Sequence, residues 1–519
     1  MKPSDEIFQL IRSMSEKEKR FFRKKYTSFI SDEDINYLKL FDEISRQAAS
    51  SHDYDEKKIK EGKYSGKFIK NLPFHKNYLY NTILDTLSLI HKDSKEIFTL
   101  KNLTIKAEIL SDKMLYEQSL KLLRRAQTTA SEKDLFNSQF EILNSQRIIG
   151  KYTGNAEEYS SAAGLIFEEQ YGILELQKNI LDYYVLNDRV SMHARKLGSG
   201  LVRRKEDFRE FEKIFDNPLL RNIENAKTFI CRYIFYNLNL QLQLTKKNFE
   251  EAYKCAKSAV DLWENNLNKI TGKIDSYIFS LNNLLNCEIR SRRFDDCDLT
   301  AAKMKNVEKI FPELISESNK VFIFYSISVL MLSKYMATAD ADNLRSIENE
   351  IRKDIKLYED KLSVYQRIIL YFFLSSSNSI QDEFENCIYW NGKIFNLGKT
   401  DLSEDYQCYA RIIQLISYYE LGYIDSMEYA MKSAYHFLSK IKRVYKYENI
   451  IKKYLRKSFR IKTDKELTEM FKDMRNELED IFHDDFEKNA FDAFNILPWL
   501  ESKIRKVPTI QVIKENISN

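Results

Sequence analysis

Glycine and proline are scarce in this 519-residue chain, at 12 and 6 residues. That scarcity excludes most turn-rich β and α/β folds, which need both at their tight connections. The six cysteines (Cys231, Cys255, Cys287, Cys297, Cys387 and Cys408) lie far apart and form no CxxC pair. They read as small buried residues in a reducing compartment, not as a disulfide framework or a zinc site. The longest apolar run, VFIFYSISVLML at 321–332, falls short of the ~20 residues a membrane-spanning helix needs. The opening MKPSDEIFQLIRS lacks an apolar signal core. A cytoplasmic location without membrane insertion is expected. An excess of one charge is missing too: 82 basic residues stand against 77 acidic, a net +5. Strong global attraction to nucleic acid or an anionic surface is excluded, while local patches remain open.

Catalytic motifs are also lacking. There is no GxxxxGK[ST] phosphate loop, and GKYSGKF at 62–68 has neither the spacing nor the final hydroxyl. No GxGxxG, GxSxG or HExxH occurs. A glycine-poor helical chain offers few of the backbone nests that phosphate and oxyanion chemistry uses. The expectation is a protein that is not an enzyme and carries no cofactor.

What is present is Leu, Lys, Glu, Ile and aromatics, with 43% hydrophobic and 31% charged residues. That is ample for packed cores, and the length exceeds one ordinary core. An all-α fold follows. A recurring pattern organises it: an aromatic, then a small residue three positions on. Tyr116 with Ser119 and Ala126 shows it, as do Tyr159 with Ala162, Phe249 with Ala252 and Ala259, Phe294 with Cys297, and Phe384 with Cys387. The small residues would let a neighbouring helix pack close. Marks at Tyr116, Tyr159, Phe208, Phe249, Phe294, Leu344, Phe384 and Ile424 are separated by 43, 49, 41, 45, 50, 40 and 40 residues. The mean of about 44 exceeds the 34 of a tetratricopeptide repeat. In two units Phe211 and Ile347 stand where the small residue belongs. Tyr418, Gly422 and Ala434 bring the last unit nearest the tetratricopeptide pattern.

Residues 1–48 read as three short helices, with Ser15 and Glu18 as a capping box and Ser31 with Asp34 as a weaker one. Residues 50–66 read as a connector, and Pro73 starts or interrupts an apolar helix. SEKEKRFFRKKY, NYLKLFDEI, YDEKKIK and FIKNLPFHKNYLYNTIL in the first 90 residues, with FNILPWLESKI near the end, resemble a group of tetratricopeptide-like (TPR-like) helical-repeat proteins of Bacteroidetes-type bacteria. The resemblance implies a helical N-terminal cap leading into a helical array. It brings no assigned activity and so no catalytic residues.

Four places could carry function. The helix at 15–29 sets Lys19, Arg20, Arg23 and Lys24 beside Phe21, Phe22 and Tyr26; it either contacts phosphates or presents a solvated face over aromatic core contacts. Gly198 and Gly200, with Arg195, Lys196, Arg203, Arg204 and Lys205 around them, form an anion-binding loop or an exposed inter-helix turn. Pro218 and Pro312 mark other connections. Residues 440–465 hold eleven Lys or Arg against two acids. Tyr447, Ile451, Tyr454, Leu455 and Phe459 line one side there, and Lys452, Lys453, Arg456, Lys457 and Arg460 the other. That basic helix either meets a partner or pairs with residues 466–492, where ten acids face three bases. Asp480, His483, Asp484 and Glu487 fall at helical spacing and could ligate a metal. The apolar Leu478, Ile481 and Phe482 beside them favour a solvated acidic face, and no metal site is expected.

The resulting expectation is an α-solenoid of TPR-like helix–turn–helix units. A cap would occupy 1–94, the repeat array 95–439 and a charged C-terminal helical segment 440–519. Such an array presents a groove lined by the first helix of each unit. The expected function is a non-catalytic scaffold or adaptor binding a protein or peptide. The alternative is a nucleic-acid-associated regulator using the basic helices near 17–25 and 440–460.

Overall fold

The computed structural model describes residues 5–27, 32–50, 54–61, 64, 66–91, 96–196, 205–397, 404–440, 446–458, 461, 463–484 and 486–518. It is 86% helical and contains no strand among the described residues. Two compact units divide it, residues 1–173 and 174–519.

In the first unit, α1 (Glu6–Ser13), α2 (Glu16–Thr27), α3 (Asp32–Ser50) and α4 (Leu72–His91) surround one core. Ile11, Phe22, Leu40, Phe41, Leu79 and Ile83 are wholly buried in it. The capping box expected at α2 forms: Ser15 N–H donates to Glu18 Oε2 at 2.6 Å, and Glu18 N–H to Ser15 Oγ at 3.3 Å. Ser31, half of the weaker box, lies outside the described residues. Two five-residue helices, Glu56–Lys60 and Gly66–Lys70, punctuate the connector, and Pro73 sits in the first turn of α4. Three successive helices follow: α5 (Glu96–Asp112), α6 (Tyr116–Glu132) and α7 (Phe136–Gly150). Then α8 (Ala156–Lys196) runs 41 residues without a break.

One expected unit differs. Tyr159 lies in the first turn of α8, after the connection at 151–155, but Ala162 three residues on is exposed, not packed. No proline interrupts residues 156–196, so nothing in the sequence ends the helix there. Phe208 likewise lies inside a helix, α9 (Lys205–Phe215). The loop at 197–204 with Gly198, Gly200, Arg203 and Arg204, and the side chains of Arg195 and Lys196, lie outside what is described.

The second unit then repeats one device. Helices pair as α10 (Phe229–Thr245) with α11 (Phe249–Glu264), α12 (Ile274–Arg290) with α13 (Phe294–Ile310), and α14 (Glu317–Ala337) with α15 (Ala341–Tyr358). Next come α16 (Val364–Ile380) with α17 (Phe384–Phe395), and α18 (Glu404–Glu420) with α19 (Ile424–Lys440). The first helix of one pair packs beside the first helix of the next from α12 through α14 and α16 to α18. Pro218 and Pro312 both lie in connections. Three first helices begin on side-chain caps: Thr228 at α10, and Ser316–Asn319 and Ser363–Gln366 capping boxes at α14 and α16.

Inside each pair the turn is the same. One residue adopts a left-handed conformation: Lys247, Arg292, Ala339, Asp382 and Gly422 have φ of 57, 58, 49, 60 and 70°. The next N–H donates to the carbonyl five residues back at 2.8–3.0 Å, from Asn248 to Gln243 through to Tyr423 to Tyr418. The following residue opens the second helix. Met114 and Asp134 make the same turn between α5, α6 and α7. This Schellman closure satisfies a carbonyl that would otherwise be orphaned at the helix end. Tyr116, Phe249, Phe294, Phe384 and Ile424 are thus the first residues of second helices.

Three residues further on lie the close-packed positions Ser119, Ala252, Cys297 and Cys387, all fully buried. Ser119 Oγ donates to Ala107 O at 2.6 Å, and Cys387 Sγ to Ser375 O at 3.3 Å, each reaching twelve residues back across the turn. At α15 the register differs from the expected one. The helix opens at Ala341, so Leu344 holds the packing position and Ile347 lies one turn beyond it.

Gly422 offers a clean test, because a Cβ there would meet no atom within 4 Å. Gly422→Ala is expected to lower stability by about 1 kcal/mol through conformation alone. The exposed Arg292→Gly should gain up to about 1 kcal/mol, less the entropy that glycine adds to the unfolded chain. Urea midpoints for the two variants should move in opposite directions.

After α19 the chain continues through α20 (Lys446–Ser458), α21 (Asp464–Glu479), α22 (Leu497–Arg505) and α23 (Thr509–Ser518). Thr509 hydrogen-bonds Asp382 through N–H and hydroxyl at 3.3 and 2.9 Å, tying the last helix to the α16–α17 turn. The apolar run at 321–332 belongs to the longer α14, whose 21 residues meet the length and hydropathy of a membrane span. Val321, Ile327, Met331 and Leu332 are buried in the shared core of these helix pairs, as in a core helix.

Candidate functional site

Several of the basic residues singled out from sequence have partners within the fold. On α2, Lys19 Nζ pairs with Glu16 at 3.1 Å. Arg23 Nε donates to Asp42 at 2.8 Å while its guanidinium lies 5.4 Å from the Phe41 ring centre. Phe22 is fully buried against Phe41 and Tyr26, and Arg20, Phe21 and Lys24 face outward.

On α20, Lys453 and Lys457 pair with Glu477 and Asp473 of α21, and Tyr454 donates to Glu477 at 2.7 Å. Lys452 Nζ sits 4.2 Å from the centre of the Tyr435 ring. Tyr447, Ile451 and Tyr454 are buried, as the amphipathic spacing implies. The Arg456 side chain, Arg460 and Phe459 lie outside the described residues. Basic and acidic segments therefore face one another across a helical pair. Exposed pairs of this kind hold about 0–1 kcal/mol each and reduce the field available to a distant anion.

The acidic stripe does not form. α21 ends at Glu479, Asp480–His483 tighten into a 3₁₀ turn, and Asp484 is extended. Four residues spaced for one α-helical face are thus spread along a bend. Asp484 instead accepts from the N–H groups of Phe486 and Glu487 at 3.1 and 3.2 Å and from Lys446 Nζ at 3.0 Å. The Lys446 ammonium and those two amides hold its pKa below the usual carboxylate range. Among the described residues no group of three or more His, Cys, Asp or Glu is placed to hold a metal ion.

Two carboxylates are enclosed within helix pairs. Glu288 of α12 is 3% exposed and accepts from Thr300 Oγ1 at 2.9 Å. Burial pushes its pKa up to about 7, against the pull of the Thr300 hydroxyl. Glu348 of α15 accepts from Ser377, Asn378 and Gln381 at 2.5, 3.1 and 2.9 Å, and burial raises it as well. Both are locked inside packing layers. The thiols of Cys255, Cys287, Cys297 and Cys387 are raised to about 11–12 by burial, which makes them poor nucleophiles.

Three tyrosines of the first helices are half-buried. Tyr325 of α14, Tyr365 of α16 and Tyr406 of α18 lie on three successive first helices, 40 and 41 residues apart in sequence. Burial raises the pKa of each. Tyr325 also feels the other two phenols, and Tyr406 feels Tyr365, so the three converge. Arg290 of α12 reaches the same neighbourhood and favours the Tyr406 phenolate.

Each of these tyrosines keeps solvent contact. None of the three hydroxyls has a hydrogen-bond partner among the described residues, and none belongs to the sealed, unpaired atoms of the interior. They belong to first helices, and Phe372 backs Tyr406 edge-on at 5.2 Å. Such a surface offers rigid apolar rings and unspent hydroxyls to a ligand that carries both. Phe and Tyr make up about one residue in eight here, so nothing at sequence level distinguishes these three. Compared with known proteins, the chain matches no family model, no curated protein and no solved structure.

Proposed function

We propose that this chain is a non-catalytic scaffold or adaptor: a TPR-like α-solenoid holding a protein or peptide segment in the groove of its first helices. The half-buried Tyr325, Tyr365 and Tyr406 on successive first helices carry the reading. Tyrosine combines large contact area with a hydrogen-bonding tip at low entropic cost, which suits it to the centre of a protein interface. The recurring Schellman turn and the side-by-side first helices support a repeat architecture. They also agree with the N-terminal likeness to TPR-like bacterial proteins. Six free cysteines support a reducing, cytoplasmic setting.

Binding of partners captured by the full chain should survive nuclease treatment and raised salt. The triple variant Tyr325→Phe, Tyr365→Phe, Tyr406→Phe should stay folded and lose affinity by about fivefold for each hydrogen bond removed. Unchanged affinity in that variant would overturn the three tyrosines as the site. The nucleic-acid alternative predicts the opposite response: steep loss with salt, and abolition by charge reversal of Lys452, Arg456 and Arg460.

A further inference from the structure

Helix α8 is apolar on two opposite faces, and its neighbours cover one. Over residues 174–192, Tyr183, Leu186 and Val190 are buried against the following segments. Tyr183 donates to Leu219 O at 2.7 Å, and Asn179 bonds Asn225 O and Lys227 N at 3.0 and 3.1 Å. On the far side Leu174, Leu181, Val185 and Met192 are 46, 61, 41 and 62% exposed. A helix with one covered and one bare apolar face has an unfilled partner position.

The bare face has a register. Leu174, Lys178, Leu181, Val185, Asp188 and Met192 follow one another at alternating steps of four and three, the 3.5-residue repeat of a coiled-coil seam. They fall within about 40° either side of one line down the helix. The two charged members, Lys178 and Asp188, are exposed and have no ion pair among the described residues. A lone lysine and a lone aspartate in an apolar seam are costly against most partners.

Against one partner they are not. About a two-fold axis at residue 183, an antiparallel second copy places Lys178 opposite Asp188 and Asp188 opposite Lys178. The same operation sets Leu181 against Val185 and Leu174 against Met192, so every layer is either apolar or oppositely charged. We infer that α8 is a self-association surface: two copies of the chain pair through residues 174–192 as an antiparallel two-helix seam. The interface is isologous, as a closed dimer requires. The seam is about 28 Å long, short enough that association should be reversible and concentration-dependent.

Sedimentation equilibrium of the full chain over a wide concentration range tests this. A monomer–dimer equilibrium is expected. Leu181→Glu with Val185→Glu should leave monomer alone at concentrations where the parent is mostly dimer. Lys178→Asp and Asp188→Lys should each weaken dimerisation by about tenfold or more, because each sets like charges opposite one another. The double exchange should restore it. Circular dichroism of every variant checks folding, and the charge variants keep the test open if the glutamates unfold α8. A chain monomeric throughout, a dimer indifferent to Leu181 and Val185, or a double exchange that fails to restore pairing would each overturn the proposal.

Discussion

Trp263→Ala is expected to lower the stability of residues 174–519 by about 3–5 kcal/mol, the range for deleting a large aromatic from a packed core. Trp263 is wholly buried near the end of α11. Phe229 and Tyr233 of α10 meet it edge-on, with ring centres at 4.6 and 5.3 Å. Truncation would leave both rings facing a cavity in the first helix pair. The indole N–H has no hydrogen-bond partner among the described residues, so Trp263 acts as an apolar volume that carries an unmet donor. That separates two contributions. Trp263→Phe loses some volume but relieves a donor costing about 1–3 kcal/mol, and it should recover most of the loss. The check is the urea midpoint of each variant with the denaturant dependence held in view. Equal losses for Ala and Phe would show that the indole N–H is satisfied and that shape dominates.

Helix content was legible in the sequence because so few residues could interrupt it. The aromatic marks worked where an aromatic opens a helix directly after a turn, as at Tyr116, Phe249, Phe294 and Phe384. The turns themselves were hidden. Among the described residues, seven of the eight that adopt the left-handed Schellman conformation are Met114, Asp134, Lys247, Arg292, Ala339, Asp382 and Lys506, and only Gly422 is glycine. Glycine is the usual signature of that conformation, so the recurring punctuation carried none of its usual spelling.

The candidate site was less legible still. Charge balance announced the pairing of α20 with α21, since segment composition survives folding. The acidic face at 480–487 failed because it assumed a helix that stops at Glu479. Which of many tyrosines keeps a hydroxyl open depends on three helices meeting, and that is a property of packing alone.

The second large effect is a pH dependence. Between pH 4.5 and about 7 the chain is expected to lose roughly 3 kcal/mol of stability through Glu288. Burial raises the pKa of this carboxyl from 4.5 to about 7. The folded state therefore binds the proton more tightly than the unfolded chain does. Below the unfolded value both states are protonated and the contribution is fully present. As pH climbs, the unfolded chain ionises first, and the difference grows until the folded carboxyl ionises too. The second carboxylate oxygen of Glu288 has no hydrogen-bond partner among the described residues, and the pull of Lys257 and Lys303 is weaker than the cost of burial. Glu288→Gln keeps an acceptor for Thr300 and does not titrate. The variant should match the parent near pH 4 and exceed it at pH 8, with the gap opening across that window. Thermal midpoints at a series of pH values measure the gap directly. Slope that remains in the variant belongs to other groups, Glu348 first, since burial raises it within a neighbouring pair. Parallel curves for parent and variant would mean that water reaches Glu288 and that its enclosure between α12 and α13 is looser than the packing of Cys287, Cys297 and Ala301 around it implies.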